Sequence, residues 1–145
     1  MFKRILVPFD GSEGALGALE KAVELQKLCG AGLLLLTVYR HHSQLEASLS
    51  MVRAAQPDQM DDIMRSHARE IVTLGKAEAE KRGATGVHAY VRNGPVARGI
   101  IHFAEEHAAD LIVVGSRGLG SIEAYLLGSV SHKVTALSPV PVLVV

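Results

Sequence analysis

Residues 32–39, GLLLLTVY, form an unbroken apolar run of strand length, preceded by the stop signal Gly30. A run of this kind, with no alternation of apolar and polar positions, reads as a strand buried on both faces. Such a strand needs parallel neighbours beside it and amphipathic helices above and below. The flanking sequence has that pattern. FKRILVPF (2–9) is a short aliphatic run ending at Pro8 and the turn residues DGS, with Ser12 placed as an N-cap. From 13 to 29, Ala15, Leu16, Leu19, Ala22, Val23 and Leu28 fall near helical spacing, and Gly30 and Gly32 stop the helix.

The same alternation continues downstream. Residues 40–57 are polar and irregular, and Pro57 with Asp58 starts a long helix to about Arg82, ended by Gly83 and Gly86. VHAYVR (87–92) alternates like a half-buried strand nearer an edge. NGP then turns the chain, with Pro95 suited to the first position of a helix running to about His107. ADLIVVGS (109–116) is another continuous apolar strand, followed by a glycine-rich loop, a helix from Ser129 to about Leu137, and a final strand at 141–145. Five strands alternating with four helices, without an internal repeat, predict a single α/β domain over 1–145. The sheet is parallel, with helices on both faces and right-handed crossovers. Strand order is not legible, but the most apolar strands, 2–8, 32–38 and 110–114, are expected at the centre. Their exit loops would then bring Pro8, Asp10, Val38, Gly115 and Gly118 to one sheet edge, where open α/β sheets bind ligands.

Composition narrows the partner. The chain has 145 residues, 48% hydrophobic and 21% charged, with 15 basic residues against 15 acidic. That balance excludes a disordered chain and gives no basic surface for nucleic acid or an anionic membrane. Aromatic residues at 4%, with no Trp, also argue against base stacking. The longest apolar run, AGLLLLTV, is too short to span a bilayer, and MFKRILVPFD lacks a signal-peptide cleavage pattern. With the lone Cys29 read as a small buried hydrophobe, these features point to a soluble, reduced, cytoplasmic protein.

The chemistry concentrates in GSRGLGSIEAYLLGSVS (115–131). Gly115 and Gly118 remove Cβ atoms, so backbone amides can approach an anion. Gly128-Ser129-Val130-Ser131 opens a helix whose first amides are unpaired and whose dipole favours negative charge. The serine hydroxyls serve either as further phosphate donors or as capping groups alone. Asp10 suits a ribose hydroxyl pair or a magnesium ion, or else is the acceptor that closes a strand-to-helix turn. No Lys follows either glycine cluster, so the Walker pattern is absent, and Glu123 stands where the dinucleotide fingerprint needs its third Gly. The loop by itself is therefore either a ligand loop or a structural connection.

The Gly-xx-Gly-x9-Gly-Ser spacing, followed by Val-Ser and ending in SPVPVLVV, resembles the ATP-binding motif of the universal stress protein family. ILVPFDGSEGALGALEKAVELQK is similar to that family's first strand and helix, and HAADLIVVGSRG to its fourth strand. The resemblance covers essentially the whole chain. It implies an open five-stranded sheet of order 3-2-1-4-5, of the adenine-nucleotide alpha-hydrolase-like type. It assigns Val38 to the base, Pro8 and Asp10 to the adenosine end, and Gly115, Arg117, Gly118, Gly128, Ser129, Val130 and Ser131 to the phosphates. It further implies ATP, with Mg near Asp10, and a homodimer through strand 141–145. The spacer LGSIEAYLL departs from the many members that carry basic residues there, leaving Arg117 as the loop's cation.

Catalytic signals are thin. His41 and His42 are adjacent, and His67, His88, His102, His107 and His132 are scattered, which does not make a metal site. Ser116, Ser129 and Ser131 lack a Gly-x-Ser-x-Gly context. The expected function is an ATP-binding stress-response or signalling regulator with slow hydrolysis at most. The alternative is an interaction module of the same fold, independent of nucleotide, acting on an unidentified protein partner.

Overall fold

The computed structural model describes residues 1–40, 57–116 and 127–145. Arg117, Gly118 and most of the 40–57 segment lie outside the described residues. The elements run β1 (Arg4–Pro8), α1 (Glu13–Cys29), β2 (Gly32–Tyr39), α2 (Pro57–Lys81), β3 (Val87–Asn93), α3 (Val96–Glu106), β4 (Leu111–Val114), α4 (Ser129–Leu137) and β5 (Val142–Val144). Local chemistry sets the ends of α1. Ser12 caps its start by accepting from the Ala15 amide at 3.2 Å, and Gly30 ends it in the left-handed region at φ 70.

The five strands form one sheet of order β3-β2-β1-β4-β5, and every pairing is parallel. Ile5 on β1 sits between Leu33 on β2 and Leu111 on β4. The three continuous apolar runs are thus the central strands, and the alternating VHAYVR run is an edge. Successive side chains of a strand face opposite sides, so each central strand feeds two cores. Ile5, Val7, Leu33 and Leu35 pack with Ala18, Leu19 and Ala22 of α1 and Val72 and Ala79 of α2. Leu6, Leu34, Leu36 and Ile112 pack with Ile100, Phe103 and Ala104 of α3 and Val134 of α4. Each fully buried Leu, Ile or Phe contributes about 1.5–3 kcal/mol of transfer free energy.

Four local readings shift. Leu28 and Leu16 fit helical spacing, yet Leu28 is 82% exposed. The buried face of α1 is Ala15, Ala18, Leu19, Ala22, Val23 and Gln26, and its three alanines let the helix lie close to the sheet. Pro95 is the N-cap of α3, not its first helical residue, because its ψ of 129 is extended. The strand predicted over 109–116 narrows to Leu111–Val114. Asp110 instead turns its carboxylate to the amides of Lys3 and Arg4, at 2.8 and 3.0 Å. Cys29, expected to be buried, is half-buried against the α1-side core.

Candidate functional site

In this strand order β1 and β4 are neighbours whose connections depart in opposite directions, β1 toward β2 and β4 toward β5. That is a topological switch point, and the exits of the two strands face a common crevice. On the β1 side, the Phe9 amide donates to Leu36 O at 2.8 Å, and the Thr37 hydroxyl donates to Phe9 O at 2.6 Å. The exit loop is thereby anchored to β2. Asp10 Oδ1 accepts from the Ser12 amide at 2.9 Å, and Gly11 takes φ +81, a left-handed turn that suits glycine. Asp10 therefore does close the strand-to-helix turn. Its other carboxylate oxygen has no partner among the described residues.

On the β4 side, a Cβ placed on Gly115 would come within 2.5 Å of Gly14 O. Glycine at 115 lets the end of β4 lie directly against the first turn of α1. The Ser116 amide donates to Val145 O at 2.8 Å, and the Gly128 amide donates to Ser116 O at 2.7 Å. The chain thus re-enters at 128 beside the point where it left at 116. Gly128 is the N-cap of α4, in extended conformation and without a side-chain capping bond. The first helical bond in α4 runs from the His132 amide to Gly128 O at 2.9 Å. The amides of Ser129, Val130 and Ser131 precede it and have no helical acceptor. No acidic residue stands in this first turn, so the helix dipole is not offset there.

Ser131 is more specific than its sequence context suggested. Its hydroxyl donates to Gly115 O at 2.5 Å, and the residue is 7% exposed. The single hydroxyl proton thus ties α4 to the exit of β4, leaving the backbone amide for an anion. Ser129 is exposed, and Val130 packs onto the α3-side core. Pro8 and Val38 are both half-buried; Val38 also belongs to that core and lies under Gly99 of α3. Pro8, Asp10, Val38, Gly115 and Gly128–Ser131 therefore share the carboxyl edge of the sheet. Arg117 and Gly118 lie outside the described residues. Sequence reasoning missed Thr37 and Gly14, and it weighed Ser116 for its hydroxyl and not for the backbone bonds it makes. A lone hydroxyl within GLLLLTVY and a glycine in the first turn of α1 were the available signals, since Gly there costs helix stability. Ser116 contributes only backbone atoms, which leave no signal in sequence. Among the described residues no group of three or more His, Cys, Asp or Glu is placed to hold a metal ion.

Fold and site together define a doubly wound α/β protein with an amide-lined crevice at its switch point. The universal stress protein family matches residues 1–145, and the chain belongs to that family. It is 38% identical over 147 residues to Universal stress protein YxiE of Bacillus subtilis (strain 168), covering 100% of this chain and 99% of that one. A universal stress protein of Thermus aquaticus is 35% identical over 150 residues, covering 100% of this chain and 99% of the relative. Among solved structures, hypothetical protein MJ0577 superposes with a TM-score of 0.83 at 29% identity, over 100% of this chain and 96% of that one. A universal stress protein crystallised in complex with cAMP superposes with a TM-score of 0.75 at 28% identity, covering 99% and 97%.

Proposed function

We propose that this protein is an adenine-nucleotide-binding regulator whose ligand is ATP with Mg, held in the switch-point crevice. The observation that carries the reading is the set of amides at Ser129, Val130 and Ser131, which find no acceptor among the described residues and start a helix tied to Gly115 at the sheet edge that Asp10 shares. Such a set suits phosphate oxygens, and the uncompensated helix dipole adds to it. The Asp10 oxygen that has no partner among the described residues suits a ribose hydroxyl or the metal, and Val38 with Pro8 offers apolar surface to a base. Arg117 and Gly118 complete the phosphate side in this reading. The relative crystallised with cAMP supports an adenine ligand of some kind.

Regulation is favoured over turnover by the state of Ser131. Its hydroxyl donates to a carbonyl, not to a base, so nothing there activates it as a nucleophile. Nucleotide would act through binding alone, in a cytoplasmic protein that pairs with a second copy through β5. Among the described residues no helix is long and apolar enough to cross a membrane.

The test is a calorimetric titration with magnesium-ATP, AMP and cyclic AMP. Tight ATP binding, weakened for AMP, supports the reading. The variant Gly128→Val should lose that binding while keeping its helix content, because Gly128 at φ −60 and ψ 155 has a backbone open to any residue. Failure of all three ligands to bind would favour the other reading, a nucleotide-independent interaction module with a structural glycine loop.

A further inference from the structure

A second concave site lies at the carboxyl ends of β2 and β3, under the first half of α2. It encloses about 260 Å³ and is lined by Tyr39, Arg65, Arg69, Val91, Arg92 and Asn93. Tyr39 and Val38 are consecutive on β2 and so face opposite sides of the sheet. The site is therefore separate from the switch-point crevice, where Val38 belongs.

Its polar groups converge from three elements. Tyr39 is only 8% exposed, so its ring is fixed in the core, and its hydroxyl oxygen accepts from Arg65 Nε at 3.1 Å. An arginine nitrogen only donates, so the phenol proton is left over, and no acceptor for it stands among the described residues. The hydrogen bond to Tyr39, with the charges of Asp62 and Asp61 beyond it, keeps Arg65 firmly in its charged form. Arg69 follows one turn later on the same helical face, and among the described residues no carboxylate lies within ion-pair distance of it. Asn93 adds an exposed side-chain amide at the end of β3. Arg92 closes the rim, but its guanidinium sits 5.3 Å over the Phe103 ring and donates to Val91 O, so its charge is directed elsewhere.

We propose that this pocket binds a phosphate-type oxyanion, free or as a monoester, between Arg65 and Arg69, the Tyr39 hydroxyl proton and the Asn93 amide. Two guanidinium groups with a buried phenol and an amide offer more donors than a planar carboxylate takes up, and they approach from different directions, as a tetrahedral anion requires. The site goes beyond the nucleotide reading and does not depend on it.

The experiment is a two-dimensional NMR titration of the full chain with inorganic phosphate, glycerol phosphate and acetate at constant ionic strength. Saturable shifts of the Tyr39 and Asn93 amides and of the Arg69 Nε–H are expected, with either phosphate compound and weaker with acetate. A preference for the ester assigns an organic phosphate, and equal or better binding of the inorganic ion assigns the free anion. Arg69→Gln, at an exposed position, should weaken binding by about tenfold or more, the loss of one charge-assisted hydrogen bond. Tyr39→Phe, which keeps the buried ring, should weaken it by a smaller factor. Shifts confined to Ser129–Ser131, acetate matching phosphate, or unchanged binding by Arg69→Gln would overturn the assignment.

Discussion

Gly115 and Ser131 illustrate how a candidate ligand residue acquires a structural duty. Gly115 must lack a Cβ because Gly14 O occupies that space, whatever binds nearby. Gly115→Ala is therefore expected to lower unfolding stability by about 1–3 kcal/mol, measured by denaturant titration, as for other overpacked sites. Ser131→Ala leaves the Gly115 carbonyl without its hydroxyl donor in a largely buried place. It should also cost about 1–3 kcal/mol. Nucleotide binding by the folded fraction of Ser131→Ala should persist, because the amide at 131 is kept. Lost binding with unchanged stability would instead make the hydroxyl a ligand contact.

At the scale of elements, opposite ends of the sheet are fastened by different means. The carboxyl edge uses the Thr37 and Ser131 hydroxyls and backbone bonds, and the first amides of α4 find no acceptor among the described residues. The amino edge uses Asp110, whose carboxylate accepts from the Lys3 and Arg4 amides and so joins β4 to β1. Burial acts to raise the Asp110 pKa, but the amide bonds from Arg4 and Lys3 outweigh it and hold the carboxyl below its ordinary value. A depressed folded-state pKa means the stabilisation is complete above the unfolded value of about 3.9 and is lost as pH falls through the folded one. Asp110→Asn should cost about 1–2 kcal/mol at neutral pH, the lower part of the range for charged hydrogen bonds because the group is partly solvated. The stability difference between the two proteins should begin to shrink as pH falls below about 3.9, where the unfolded aspartate becomes protonated, and should vanish only below the lower folded-state pKa. A difference that stays constant down to strong acid would assign the effect to side-chain shape.

For the molecule as a whole, the two sheet edges differ. β3 is flanked by the basic pocket and ends in Arg92 and Asn93, charged and polar residues that discourage further pairing. β5 is short and apolar, with Leu143 36% exposed and Val145 40% exposed. Val142 and Val144 pack inward on the α3-side core, so the outward residues are the ones left for a partner. In the proposed dimer β5 pairs with its copy, and Leu143→Lys should yield monomer in sedimentation equilibrium without loss of helix content. Dimer retained by that variant would place the contact elsewhere.

The amino-acid sequence alone carries the elements and the identity of the central strands. Those properties follow from short-range physics: the apolar run at 32–39 declares burial on both faces, Ser12 and Gly30 mark the ends of α1, and the alternation at 87–92 marks an edge. It also placed Asp10, Gly115 and Gly128–Ser131 at one sheet edge, since chain order and parallel pairing put every strand exit on the same side. What those residues do to one another emerges in the folded chain. The Ser131 bond to Gly115 spans 16 residues, the Arg65 bond to Tyr39 spans 26 and the Thr37 bond to Phe9 spans 28. Contacts at such separations depend on strand order and helix crossing, which no local pattern encodes. A hydroxyl in the sequence is a possible donor to many groups, and the packing of α4 on β4 is what selects the one it meets.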